Sequence, residues 1–245
     1  ALEMVGFPRK AYVLLGVEPE YDCWDGAAAL KAVQGAEFVL NLTAYASQSA
    51  RSYSSVLLPT AAFAETFGTF VNAEGTAQTF QGATKPPGEA RPGWKVLRVL
   101  GGLLGQQDFD YLDGQQVLDE VLSACSEVPQ NNLTAAEGGF EVLAAHGLWR
   151  VAEVPLYAGD ALVRRAPSLQ QTTWARPAAA YLHPQTARER NLEGEQLKVR
   201  QGSHEVVLPL VLDERVAQET VMVPAALEGS LALGPMVGPV EIRGA

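Results

Sequence analysis

The sequence predicts an α/β fold: a partial parallel-sheet α/β domain followed by a small β-barrel. Three observations carry this. Apolar runs alternate with helix-forming stretches from Ala11 to Leu104. From Ala178 onwards, Val and Leu crowd into short segments bordered by Gly and Pro. The composition, 47 % hydrophobic and 19 % charged over 245 residues, suffices for a real core in one or two domains.

Ala11–Val17 is a continuous apolar run that ends at Gly16 and Glu18-Pro19, so it reads as a buried strand. Asp25–Val33 has an acidic start, strong helix formers and Gly35 just past its end, the signature of a helix. Glu37–Leu42 reads as a second strand, Ser47–Tyr53 as a weak helix and Ser55–Leu58 as a third strand. This spacing favours parallel strands with right-handed crossovers. A long loop follows from Pro59 to Gln78. Pro92-Gly93 opens a helix over Trp94–Leu104, with Pro placed where the missing N–H costs nothing. Gln115–Ser126 is another helix, with Val117, Leu118, Val121 and Leu122 on one face.

Residues 127–175 keep no periodicity and read as irregular, with one short helix near Glu141–His146. Further on, Pro184 starts a helix over Gln185–Arg190. Gln196–Arg200, Glu205–Leu212 and Thr220–Val223 read as strands of the barrel. The division is therefore 1–126 for the α/β segment, 127–177 for a linker and 178–245 for the barrel module. Three strands are fewer than a sheet usually holds. Upstream sequence or another chain is expected to cover the open edge.

The net charge of −10 disfavours nucleic acid and anionic lipid, which both demand clustered Lys and Arg. The acidic surplus marks a soluble protein. The most apolar run, Val96–Leu104, is too short to span a bilayer and holds Arg98, so no direct membrane insertion is expected. The start, ALEMVGFPRK, is not a signal peptide. Beginning at Ala1 without Met, the chain reads as a processed product or a fragment of something longer. Cys23 and Cys125 lie far apart with no CxxC spacing. Two thiols cannot build a four-thiolate iron–sulfur site, and they read as reduced cysteines of a cytoplasmic protein.

Chemical motifs are sparse. After the first strand the chain reads Gly16-Val17-Glu18-Pro19-Glu20-Tyr21: one glycine and two carboxylates, not a phosphate-cradling G-x-G-x-x-G. His146, His183 and His204 share no ligand spacing, so no metal site is expected. Asp108, Asp110 and Asp113 lack the Gly and terminal Glu of a calcium loop and read as an electrostatic cap for the following helix. No G-x-S-x-G elbow supports nucleophilic hydrolysis. What remains is the loop 59–78, with Glu65, Thr66, Asn72, Glu74 and Gln78 beside Phe67, Phe70 and Phe80. No Lys, Arg or His falls between Ser52 and Thr84, so the loop alone repels an anionic cofactor. Its polar groups are expected to bond exposed backbone.

The order Leu-Leu-Pro, then Glu65-Thr-x-Gly-Thr-Phe-Val-Asn-x-Glu-Gly75, resembles the C-terminal part of the large peripheral-arm subunit of bacterial NADH-quinone oxidoreductase (complex I). That large subunit is related to the molybdopterin oxidoreductases. The resemblance covers residues 10–104 with specific motifs. Residues 178–243 resemble, more loosely, the dinucleotide-binding barrel of double-psi type that ends molybdopterin oxidoreductases. It implies a structural piece of the peripheral arm without a redox centre, packed against other peripheral-arm subunits on the cytoplasmic side of the inner membrane. Iron–sulfur clusters are expected only upstream, in a Cys-rich region of the parent subunit. No catalytic residue and no cofactor are expected in this chain, the five loop residues lining at most a vestigial pocket. Thr76 stands where the family commonly has Arg, which removes one more cation. Two alternatives stay open: a fragment of a molybdopterin-dependent oxidoreductase of formate-dehydrogenase type, and a free-standing binding protein.

Overall fold

The computed structural model describes residues 2–125 and 147–245. Along the chain run α1 (Leu2–Gly6), β1 (Ala11–Leu15), α2 (Pro19–Asp22), α3 (Gly26–Gln34), β2 (Phe38–Thr43), α4 (Gln48–Tyr53), β3 (Val56–Pro59), β4 (Gly68–Val71), β5 (Ala77–Phe80), α5 (Gly93–Leu103) and α6 (Gly114–Ala124). Then come β6 (Trp149–Val151), α7 (Ala161–Arg164), α8 (Pro167–Gln170), β7 (Ala180–Leu182), α9 (Pro184–Glu189), β8 (Gln196–Gln201), β9 (His204–Leu212), β10 (Thr220–Met222), β11 (Val237–Pro239) and β12 (Glu241–Gly244). The described residues fall into two compact units. One holds residues 2–12, 17–38 and 147–245; the other holds 13–16 and 39–125.

Helix starts follow the caps written in the sequence. Asp25 accepts from the Ala28 N–H at the start of α3, Ser47 from Ala50 at α4 and Asp113 from Gln116 at α6. Each bond satisfies an N–H that has no partner inside its helix. Of the three aspartates expected to cap α6, Asp113 is the one that does so by a hydrogen bond. The short helix read near Glu141–His146 lies outside the described residues.

In the second unit the strand order is β1-β2-β3, and β2 pairs in parallel with β3 from Leu40↔Val56 to Thr43↔Pro59. The expectation of a buried first strand needs correction. Val13 is 56 % and Leu15 46 % exposed. A sheet of three strands offers too little surface for both faces of β1 to be covered. The long loop also needs correction. It contains a single turn of 3-10 helix at Phe63–Glu65 and an antiparallel hairpin, β4 with β5, in register from Gly68↔Phe80 to Val71↔Ala77.

The first unit is built on a seven-stranded sheet, ordered β11-β6-β10-β7-β9-β8-β12, that curls into a nearly closed barrel. Pairings are mixed: β10 with β6 and β7 with β9 run parallel, the others antiparallel. Leu182, Leu197, Val199, Leu208, Val221 and Val223 fill the core from alternate positions of their strands. The irregular reading of residues 127–175 misses β6, which sits between β10 and β11. Three residues centred on a charged Arg150 carry no apolar alternation to detect.

Close packing in this unit also fixes a glycine. A Cβ on Gly26 would stand 2.1 Å from the carbonyl oxygen of Glu20, a backbone atom that cannot rotate away. Gly26→Ala is expected to destabilise the unit by about 1–3 kcal/mol, with α2 and α3 forced apart. Urea unfolding of the variant checks this, and an unchanged midpoint would show that the two turns can separate freely.

Candidate functional site

The five residues singled out in the loop do not converge on one site. Asn72 closes the hairpin: its Oδ1 accepts from the N–H groups of Glu74 at 3.0 Å and Thr76 at 2.9 Å, and its carbonyl accepts from Gly75. This is the local bonding by which Asn favours turns. Glu65 Oε2 accepts from the Ala62 N–H at 2.9 Å, and Thr66 Oγ1 donates to the Phe67 carbonyl. Glu74 and Gln78 point into solvent on the exposed hairpin. Phe70 and Phe80 stack at 5.3 Å between ring centres, and Thr69 bonds Thr79 across the strands. Asn72→Ala is expected to lower stability by only about 1 kcal/mol, because the freed N–H groups are exposed and water replaces the amide. Amide exchange at Glu74 and Thr76 should accelerate without global unfolding; unchanged rates would contradict this role.

Glu65 and Thr66 instead line a concavity of about 450 Å³ together with Trp94, Lys85, Arg91 and Lys95. The count of charges along Ser52–Thr84 therefore does not describe the site. Folding brings three cations from just beyond Thr84 to the side of the loop that carries Glu65.

In the first unit, sequence reasoning missed a buried ion cluster. Glu18 is 4 % exposed and receives Arg164 Nη1 at 2.9 Å, Arg165 Nη1 at 3.0 Å and Arg165 Nη2. Arg164 also reaches Asp22 and lies over the Tyr21 ring at 4.8 Å. Burial pushes the Glu18 carboxyl up, but hydrogen bonds and charge from Arg165 and Arg164 prevail and hold it below its ordinary value. The same cluster borders a cavity of about 350 Å³ with Tyr157, Gln170 and Glu228. Its cations are already neutralised, so it offers no free charge to a ligand. Glu20 is also buried, and both its carboxylate oxygens lack a hydrogen-bond partner among the described residues. Nothing in the sequence signals this cluster, since its partners lie more than a hundred residues apart.

The barrel core holds a second buried charge, Arg150. Its Nη1 donates to Gln201 Oε1 at 3.1 Å and to the carbonyls of Gly234 and Pro235 at 3.0 and 3.3 Å; Nη2 reaches the Val223 carbonyl at 3.5 Å. Desolvation lowers its pKa to about 10, so the guanidinium stays charged at neutral pH.

No cluster of three His, Cys, Asp or Glu residues able to hold a metal occurs among the described residues. His183 Nδ1 accepts from the Gln185 N–H as the cap of α9. Cys23 and Cys125 are both free thiols. No described helix is long and apolar enough to cross a membrane.

Against this geometry, comparison with known families bears on the kinship of the N-terminal part. Residues 1–103 match the molybdopterin oxidoreductase family. Over 98 residues the chain is 33 % identical to a nitrate reductase of Synechocystis, covering 40 % of this chain and 14 % of that one. Over 72 residues it is 39 % identical to the mitochondrial NADH-ubiquinone oxidoreductase 78 kDa subunit of Candida albicans, 29 % of this chain and 9 % of the relative. Over 113 residues it is 30 % identical to the F420-dependent formate dehydrogenase subunit alpha of Methanocaldococcus jannaschii, 46 % and 17 % of the two chains. The chain thus spans less than a fifth of each of these relatives. In fold it is similar to the acetylene hydratase from Pelobacter acetylenicus, with a TM-score of 0.63 and 16 % identity, covering 100 % of this chain and 46 % of that one. The mixed α/β architecture, with its parallel sheet and nearly closed seven-stranded sheet, is shared with that hydratase.

Asn72 and Glu65 already accept from the backbone, and β4, β5 and the turn between them carry no cation; the cations near Glu65 are Lys85, Arg91 and Lys95 of the following segment.

Proposed function

We propose that this chain is the structural C-terminal portion of the large peripheral-arm subunit of a bacterial respiratory NADH:quinone oxidoreductase, itself without a redox centre. The observation that carries the non-catalytic reading is the hairpin. Of the five polar residues singled out in the family-matching stretch 59–78, Glu65, Thr66 and Asn72 bond nearby backbone, and Glu74 and Gln78 are exposed. The respiratory assignment draws on the likeness to the 78 kDa subunits, 39 % in Candida albicans and 41 % over 69 residues in Neurospora crassa. In this reading the iron–sulfur clusters belong to upstream sequence, the partners are other peripheral-arm subunits, and the location is the cytoplasmic face of the inner membrane. The mixed-pairing barrel is read as the double-psi, dinucleotide-binding-like type.

A second reading is supported by the nitrate reductase and formate dehydrogenase matches: a fragment of a molybdopterin-dependent oxidoreductase. Native electrophoresis of membranes, with detection of the polypeptide that contains these residues, separates the two. Co-migration with NADH-oxidising activity in a large assembly supports the respiratory subunit. Migration with formate- or nitrate-dependent activity, and none with NADH, overturns it.

A further inference from the structure

The concavity at the start of α5 has the chemistry of an anion site. Lys85, Arg91 and Lys95 line it, and none of them forms an ion pair among the described residues. Their one acidic neighbour in the lining, Glu65, already accepts from the Ala62 N–H. Arg91 is held at the rim by two bonds from Nη1, to the carbonyls of Gly88 and Ala90, which leaves Nε and Nη2 without a partner among the described residues. Lys95 lies 5.3 Å from the centre of the Trp94 ring, which restricts where its ammonium can sit. The helix itself adds to the field. It begins after Pro92 with no side-chain cap; the Lys95 N–H is taken by the Pro92 carbonyl, which leaves the N–H groups of Gly93 and Trp94 and the positive end of the dipole to a ligand. In a chain of net charge −10, three cations around one concavity, with no ion pair among the described residues, are not a by-product of a basic surface. The volume, about 450 Å³, is that of a small-molecule site.

We infer that this concavity binds the phosphate group of a small phosphate-bearing molecule, with Lys85, Arg91 and Lys95 as its ligands and the start of α5 as a fourth donor. Binding of this kind needs no redox centre and holds whether the parent polypeptide is a structural subunit or an enzyme.

Calorimetry on the full native polypeptide, at low ionic strength, with inorganic pyrophosphate and separately with ADP, tests it. Saturable binding is expected, weakened about tenfold or more by combined Lys85→Glu and Lys95→Glu substitutions, since each charge-assisted bond contributes more than a neutral one. Lys31→Glu, on α3 in the other unit, should bind as wild type. ADP binding tighter than pyrophosphate assigns a nucleotide, with the base contributing; equal binding assigns the anion alone. Absence of binding by the wild type, wild-type binding by the double variant, or equal loss in Lys31→Glu would overturn the inference. Should the double variant misfold, the milder Lys85→Gln with Lys95→Gln serves as the readout, and the same outcomes apply.

Discussion

Arg150→Ala is expected to be among the most damaging single substitutions in the barrel, with a loss of about 3–5 kcal/mol. The side chain is 1 % exposed and links three separate segments, reaching Gln201 in β8, the Val223 carbonyl after β10, and the Gly234-Pro235 turn. Truncation takes a donor from the buried Gly234 and Val223 carbonyls and opens a void at a fully buried position. Arg150→Lys should recover only part of the loss, because one ammonium cannot span acceptors that a planar guanidinium forks between. The absence of a carboxylate from this set is informative. A guanidinium bonded to carbonyls fixes the turn without requiring a second buried charge. Urea unfolding followed by the fluorescence of the adjacent Trp149 measures the effect. A loss below about 1 kcal/mol would mean that water reaches these carbonyls and the residue is dispensable.

Removal of Glu18 is expected to cost a similar amount, about 3–5 kcal/mol, because Glu18→Gln takes away the buried carboxylate that Arg164 and Arg165 share. The same group gives the protein a pH dependence of definite sign. Its carboxyl is held below the ordinary 4.5 in the folded chain and returns to it on unfolding. The stabilisation is therefore complete above 4.5 and is lost as pH falls through the folded value, where the native carboxylate finally protonates. Stability measured from neutral pH down to about pH 3 should fall more steeply in the wild type than in Glu18→Gln. Equal slopes would show that the cluster does not couple folding to protonation.

The parts of the fold that are legible in the sequence are those with local causes. Asp25, Ser47 and Asp113 announce helix starts because a cap acts over three residues. The three N-terminal strands are visible as apolar runs between such helices. Burial is not legible: Val13 and Leu15 look like core residues, yet the small sheet leaves them exposed. β6 is hidden because its centre is Arg150, whose burial depends on acceptors supplied by residues 201, 223, 234 and 235. The hairpin β4–β5 reads as loop because its four-residue strands are largely exposed, with Phe70 and Val71 side by side, so no alternation marks an inner face. At the candidate site, the roles of Asn72 and Glu65 follow from their known habit of bonding nearby backbone. The basic concavity does not, because Lys85, Arg91 and Lys95 meet Glu65 only through the turn at 82–92 and the start of α5.

The most direct test of a non-catalytic, respiratory role is the metal and pterin content of the native polypeptide that contains these residues. Elemental analysis for molybdenum, tungsten and iron is combined with detection of oxidised pterin fluorescence on the same purified sample. The account predicts iron from upstream clusters, with neither molybdenum nor tungsten in stoichiometric amount and no pterin. One molybdenum or tungsten per polypeptide, accompanied by pterin, would contradict it and identify the parent as a molybdopterin-dependent enzyme.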